Sequence, residues 1–366
     1  MPADELIGHG QHVMTVCNAC RYCEQYCPVF PAMERRLTFT TMDLAYLANL
    51  CHNCGECLYA CQYAPPHEFG IDVPRTLAKI RVRSYEDYCW PRFLATAFRR
   101  HNLLTGFGLA AGLIALMLAA TLVVNGGDLP RPVGSGDFYA VVPHEVMIAL
   151  FGSVFLFAVA ALGIGARRFW QGMEGAAKPV RDVGALVRAF RDVLTLRHLH
   201  GSGPDCTTAE ETRTPWRRWF HHCTFYGFLS CFASTSVAAV YHTVFGWLAP
   251  YGYTSLPVVL GTAGGAGLVV GTAGLLLARH QRDPALADPA QDGMDQSFIA
   301  LLFLAAFTGL LLLVLRERAV MSALLIVHLG AVLALFLTLP YGKFVHGIYR
   351  AAALVKYAKE GADASS

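Results

Sequence analysis

Eight of the twelve cysteines lie between Cys17 and Cys61, in two sets with the same spacing. The first reads Cys17-x2-Cys20-x2-Cys23-x3-Cys27-Pro28 and the second Cys51-x2-Cys54-x2-Cys57-x3-Cys61. Three thiolates spaced by two residues wrap one face of an iron–sulfur cubane. The fourth reaches across to the other cluster, as in two-cluster ferredoxins. The spacing therefore predicts two [4Fe–4S] clusters. Cys17, Cys20, Cys23 and Cys61 hold one; Cys51, Cys54, Cys57 and Cys27 hold the other. Zinc sites usually pair two CxxC units instead of repeating a CxxCxxCxxxC run. The second set lacks an immediate proline, since Gln62 follows Cys61 and Pro65 and Pro66 come later. Cys89, Cys206, Cys223 and Cys231 are scattered. Such clustering reads as metal binding, not as a disulfide framework.

Histidines supply the second chemical signal. His242 and His328 fall inside long apolar runs, where an ionisable residue marks function by default. His346, and either His221 or His222, flank the same two runs. His328 and His346 are 18 residues apart, five helical turns or about 27 Å. His221 and His242 are 21 apart, close to six turns or about 32 Å. If the two helices run antiparallel, His242 faces His328 on the outer side and His221 faces His346 on the inner side. Each pair offers two axial nitrogens to a b-type haem, so one haem or two are expected. His222 points the other way on an ideal helix, although a kink would reverse that choice. Pro340 is placed to bend the last helix between its two histidines. His144 and Glu145, at the outer start of the second run, are candidates for proton exchange with quinone, and Lys343 for pairing with a haem propionate or a lipid phosphate.

The elements that must position these groups follow from hydropathy. Mean hydropathy is +0.41, and only 15% of residues are charged, against a usual ~25%. Six apolar runs, at 103–124, 146–166, 223–249, 256–278, 297–315 and 319–339, are each long enough to cross a lipid core. Arg99 and Arg100, Arg167 and Arg168, Arg217 and Arg218, Arg279 and Arg282, and Lys343 and Arg350 all fall on one side if the helices alternate. The other side has only Arg131, Arg316 and Arg318. The positive-inside rule then puts both termini and the cysteine-rich head in the cytoplasm of a bacterial inner membrane. The first 40 residues carry no apolar signal-peptide core.

The expected fold is mostly α. Residues 1–100 form an α-helical, two-cluster ferredoxin-like head, because the link from Thr38 to Leu50 is rich in helix formers. Residues 101–350 form a six-helix transmembrane haem-binding bundle, and 351–366 a cytoplasmic tail. Within the loop at 167–222, the stretch from Arg181 to Leu199 repeats apolar residues at helical spacing and predicts an amphipathic helix under the head. Gly201 to Cys206 reads as a turn in a linker. Gly261/Gly265 and Gly267/Gly271 predict close helix packing. The net charge of +3 is too small to suggest nucleic acid. No G-x-G-x-x-G follows a strand, so a flavin belongs on a partner. A transporter usually keeps carboxylates or broken helices at the midplane, and these spans hold no acids.

The doubled cysteine motif, His221-His-Cys-Thr-Phe-Tyr-Gly-Phe228 and Leu339-Pro-Tyr-Gly-Lys-Phe-Val-His-Gly-Ile-Tyr349 resemble the tricarballylate utilisation protein B family, also called citrate-utilisation protein B. The resemblance covers nearly the whole chain. The membrane half is also similar to haem-b gamma subunits of nitrate reductases and heterodisulfide-reductase-like complexes. The resemblance implies a carrier that reoxidises the reduced flavin of an FAD-dependent tricarballylate dehydrogenase and passes electrons to the membrane quinone pool. The same wiring serving another dehydrogenase, or a heterodisulfide-type enzyme, is the alternative.

Overall fold

Helices form wherever the sequence combines good helix formers with a buried apolar face, and the helices here decide where the cysteines and histidines sit. The computed structural model describes residues 3–100, 102–129, 138–174, 182–200, 206–207, 213–281, 283, 286 and 288–363. The expectations placed on Arg131, Arg181, Arg282 and the turn over 201–205 lie outside these residues.

The head contains α1 (Ala3–Cys20), α2 (Val29–Glu34), α3 (Thr41–Leu50), α4 (Glu56–Tyr59), α5 (Val73–Tyr88) and α6 (Arg92–Arg100). Cys17 and Cys20 lie on the last turn of α1, and Cys57 lies on α4. The link between the motifs is α3. Its start is fixed by a capping box: Thr40 Oγ1 accepts the Asp43 N–H at 3.2 Å, and Asp43 Oδ2 accepts the Thr40 N–H at 3.0 Å. Its end sets Cys51, whose N–H donates to Leu47 O at 3.0 Å. Leu44, Tyr46, Leu47 and Leu50 of α3 are fully buried against Val13, Met14, Met33 and Leu77. The loop between Cys51 and Cys57 then turns through two left-handed residues, Asn53 (φ 56°) and Gly55 (φ 89°).

Six further helices are long and apolar enough to span a membrane, which marks a multi-pass membrane protein. They are α7 (Asn102–Val124), α8 (His144–Glu174), and then, beyond the short α9 (Val183–Leu194), α10 (Trp216–Thr243), α11 (Leu256–His280), α12 (Pro289–Leu315) and α13 (Met321–Thr338). A last helix, α14 (Val345–Asp363), follows. Two two-residue strands, Cys206–Thr207 and Arg213–Thr214, pair antiparallel before α10. Glycine lets α10 and α11 meet backbone to backbone. A Cβ on Gly264 would lie 2.8 Å from both Gly227 O and Cys231 N.

Three elements differ from the expected pattern. The second span does not stop near 166, because α8 continues to Glu174 and buries Phe169 and Met173 in the head core. The third begins at Trp216 and ends at Thr243, where the chain turns through Gly246 (φ 68°). The C-terminal tail is helical. Helix α13 ends at Thr338, just before Pro340, and α14 then packs into the head, burying Val345, Tyr349, Ala353 and Leu354. The reason is apolar spacing on a chain too charged to enter lipid: Lys356 and Lys359 pair with Glu174, and Glu360 pairs with Arg36 at 2.6 Å. Head and bundle therefore share one core, which runs through α8 and α14.

The expected amphipathic helix forms as α9, capped by Asp182, whose Oδ1 accepts the Ala185 N–H at 3.0 Å. It buries Ala185 and Ala189, and Val183, Val187 and Phe190 face outward.

Candidate functional site

The cysteines fall into two groups. Cys17, Cys20, Cys23 and Cys61 line one cavity of about 210 Å³ with Phe30, Tyr63 and Ile71. Burial, and then the neighbouring Cys61, Cys23 and Cys20, push the Cys17 thiol up to about 12. In the second group, burial raises the Cys27 thiol, and then the charges of Cys54 and Cys51 raise it further. Cys57 is raised by burial and then by Cys54 and Cys27. Thiolates that crowd one another away from water need a cationic centre to stabilise them. Among the described residues, no three His, Cys, Asp or Glu side chains converge on a single metal ion. Soft thiol donors around a cavity, in place of a point, fit an iron–sulfur cluster better than a mononuclear ion.

A second, larger cavity of about 510 Å³ lies where the head meets the bundle, within the size range of cofactor pockets. Cys54 and His52 of the second cysteine loop line one side. His221 of α10 and His346 of α14 line another, and Phe225, Phe228, Phe298 and Phe344 supply apolar walls. The two imidazole centroids are 6.0 Å apart, with planes at 81°. Metal–nitrogen bonds of about 2.0–2.1 Å put two trans imidazoles on one metal about 6 Å apart, so the pair has room for one iron between its rings. His346 Nδ1 donates to Lys343 O at 2.5 Å, which orients the ring and leaves Nε2 as its second nitrogen for a ligand. His221 Nδ1 is buried without a hydrogen-bond partner. The imidazole pair and the cavity would fit a tetrapyrrole. Of the two adjacent histidines, His221 is the one brought to His346. His222 stacks on Tyr226 with centroids 5.9 Å apart.

The other histidines are placed differently from the expected outer pair. His242, one residue before the end of α10, stacks on His144 of α8 at 3.6 Å, with Tyr139 5.6 Å away. His328 lies in the body of α13 and turns to α12, donating from Nδ1 to Ala305 O at 3.1 Å with Thr308 Oγ1 also at 3.1 Å. The facing of His242 and His328 rested on matched depths, whereas His242 is one residue from the end of α10 and His328 is seven residues past the start of α13. Glu145 follows His144 in the first turn of α8. Lys343 forms an ion pair with Asp295 at 2.9 Å on the wall of the larger cavity.

Several cavity residues were not singled out from the sequence for this site. Arg350 Nη1 donates to His52 Nδ1 at 2.9 Å, and His52 Nε2 is buried without a partner. Burial, and then the Arg350 charge, hold His52 well below the usual imidazole range. Arg217 reaches the same loop. The signal was present in the numbering. Arg217 precedes His221 by four residues and Arg350 follows His346 by four, one helical turn in each case.

The family model for citrate utilization protein B matches residues 97–366, and the model for its Fer4-like domain matches residues 10–87. This chain belongs to the citrate utilization protein B family. The Escherichia coli protein named "Citrate utilization protein B" is 48% identical over 351 residues, which cover 96% of this chain and 91% of that one. No solved structure matches the chain. In this citrate utilization protein B relative, the Fer4-like match contains all eight clustered cysteines and assigns the head to iron–sulfur chemistry.

Proposed function

We propose that this chain is a membrane electron-transfer protein. It accepts electrons from the reduced flavin of a partner FAD-dependent dehydrogenase and passes them through two [4Fe–4S] clusters and haem b to the quinone pool. One observation carries the reading: a single cavity touches Cys54 of the second cysteine motif and both His221 and His346. A cluster-bearing loop and an imidazole pair sharing one cavity suit electron transfer between them.

When bound, the clusters and haem supply one-electron relay chemistry. The residues do the rest. Cys17, Cys20, Cys23 and Cys61 hold the cluster farther from the bundle, and Cys51, Cys54, Cys57 and Cys27 hold the nearer one. His221 and His346 would hold the haem iron through their imidazoles, and the four phenylalanines of the cavity would exclude water. Arg217, Arg279, Arg350 and Lys343 line the same cavity and suit an anionic edge such as a propionate. One haem, at the inner pair, is the number this geometry supports, since His242 and His328 have other partners. Lys343, paired with Asp295 at 2.9 Å, is the candidate on the cavity wall for proton exchange with quinone. His144 and Glu145 start a 31-residue helix whose far end is in the head core, about 45 Å away. The loop charges favour an inner-membrane setting with both termini and the head in the cytoplasm.

The upstream substrate is a tricarboxylate, with tricarballylate the acid oxidised by the partner. The Escherichia coli relative is named for citrate utilization. Another dehydrogenase, or a heterodisulfide-type enzyme, on the same wiring is the second reading. The deciding measurement is iron, acid-labile sulfide and haem per polypeptide in the anaerobically purified chain, followed by a dithionite-reduced spectrum. A reducible b-type α-band with cluster iron is expected; a colourless, iron-free chain rejects the proposal. Reduction of both chromophores by tricarballylate plus its flavoprotein, and not by that acid alone, tests the partner.

A further inference from the structure

Two arginines tie the second cysteine loop to the helices that carry the histidine pair. Arg217 of α10 donates from Nη1 to Asn53 O at 3.1 Å and from Nη2 to His52 O at 3.2 Å. Arg350 of α14 donates from Nη2 to Cys51 O at 2.6 Å, from Nε to Asn49 O at 3.3 Å, and from Nη1 to His52 Nδ1 at 2.9 Å. The loop they grip is itself buried: His52 is 7% exposed and Asn53 3%. Arg81, 5% exposed, adds a third guanidinium beneath it by donating to Ala48 O at 2.7 Å. The first cysteine loop is served differently. There Arg21 bonds Asn18 O at 3.0 Å from an exposed position, where water screens its charge.

We propose that Arg217 and Arg350 are positioning residues for electron transfer: they raise the reduction potential of the second cluster above that of the first and fix its distance from the His221/His346 haem. The proposal rests on the cluster and haem assignments above. The physical basis is simple. Reduction adds a negative charge to a cluster, and a buried cation nearby stabilises that state. Cluster potentials follow local charge, hydrogen bonding and exposure. A unit charge roughly 12 Å from the added electron, at an effective dielectric near 20, is worth about a factor of ten in equilibrium. An asymmetry of this sign directs electrons from the first cluster to the second and on toward the haem. The fork geometry does the rest, since each guanidinium spans more than one acceptor on a single loop and leaves it little freedom to drift.

The test uses the full chain in lipid nanodiscs, comparing wild type with R350Q and R350K. Potentials are read by redox titration, with electron paramagnetic resonance for the clusters and absorbance for the haem. Single-turnover mixing with a reductant gives the rate of haem reduction. For R350Q the second cluster should become about tenfold harder to reduce, which is a shift of 59 mV for one electron, with the first cluster unmoved. R350K keeps the charge and loses the fork. It should hold the potential near wild type and slow haem reduction. Both clusters present in R350Q with unchanged potentials overturns the proposal. If R350Q loses a cluster altogether, R350K decides, and wild-type haem reduction in R350K overturns it. A wild-type chain without cluster or haem signals fails at the earlier assignment and takes this proposal with it.

Discussion

At the scale of single residues, the proposed haem ligand is the sharpest choice. His221 and His222 are adjacent, yet only His221 approaches His346, while His222 stacks on Tyr226. His221→Ala and His346→Ala should therefore each remove the reduced haem α-band, while His222→Ala retains it. Absorbance of purified membranes checks all three, and loss of the band in the His222 variant alone would move the ligand by one residue. Cys54 gives the matching test in the head. Cys54→Ser should abolish one of two cluster signals in electron paramagnetic resonance and leave the first cluster in place, because Cys54 is grouped with Cys27 and Cys57 and not with Cys17.

At the scale of elements, α3 is the part on which the second cysteine loop depends, and its capping box is a measurable contribution. Asp43 is penalised by burial, but bonds from Thr40 and Arg36 outweigh that and hold its carboxyl below the usual range. A carboxylate with a depressed folded value stabilises the protein at neutral pH and loses that contribution as pH falls through the folded value. Asp43→Asn should cost about 1 kcal/mol at pH 7, with the gap to wild type narrowing below about pH 4. Denaturation followed by circular dichroism at the two pH values reads this directly. α3 was legible in the sequence, since Leu44, Leu47 and Ala48 recur at helical spacing between two fixed motifs. The six apolar runs were legible for the same reason: lipid demands length and low charge. Pairing across helices was less so. His242 and His328 were matched on ideal, straight helices, whereas α10 ends at Thr243 and α13 ends at Thr338, just ahead of Pro340. The glycines of α11 announced close approach, and Gly261, Gly267 and Gly271 deliver it against α10 while Gly265 faces Leu310 of α12, but spacing alone did not name the partner helix. Arg217 and Arg350 were read as topology markers. Their role as bridges requires knowing that a distant loop lies above them.

At the scale of the whole molecule, the chain is not a soluble domain set on a membrane anchor. The head core is completed by α8, from mid-chain, and by α14, from the far end of the sequence. Phe169 stacks on Tyr349 at 4.8 Å, and Tyr349 meets Tyr85 of α5 edge-on at 5.8 Å. Lys356 donates to Met173 O at 2.6 Å, and Arg36 grips Glu360. Removing residues 345–366 would bare the surfaces that Val345, Tyr349, Ala353 and Leu354 now cover. Losing three large apolar side chains and an alanine, at about 1.5–3 kcal/mol for each large one, amounts to roughly 5–9 kcal/mol. That is comparable with the whole stability of an ordinary domain, about 5–15 kcal/mol. The truncated chain should still insert its six spans, because their hydropathy is untouched, but the head should fail to retain iron and should be cut rapidly by protease. A fragment of residues 1–100 should fail in the same way, since it lacks both α8 and α14. Iron and sulfide per polypeptide, together with the protease digestion pattern, separate the outcomes. A fragment of 1–100 that folded and held both clusters would show that the shared core is dispensable, and the coupling of head to bundle would then rest on the arginine bridges together with bonds such as Asn53 Nδ2 to Leu286 O at 3.0 Å and Arg168 Nη1 to Cys89 O at 2.9 Å.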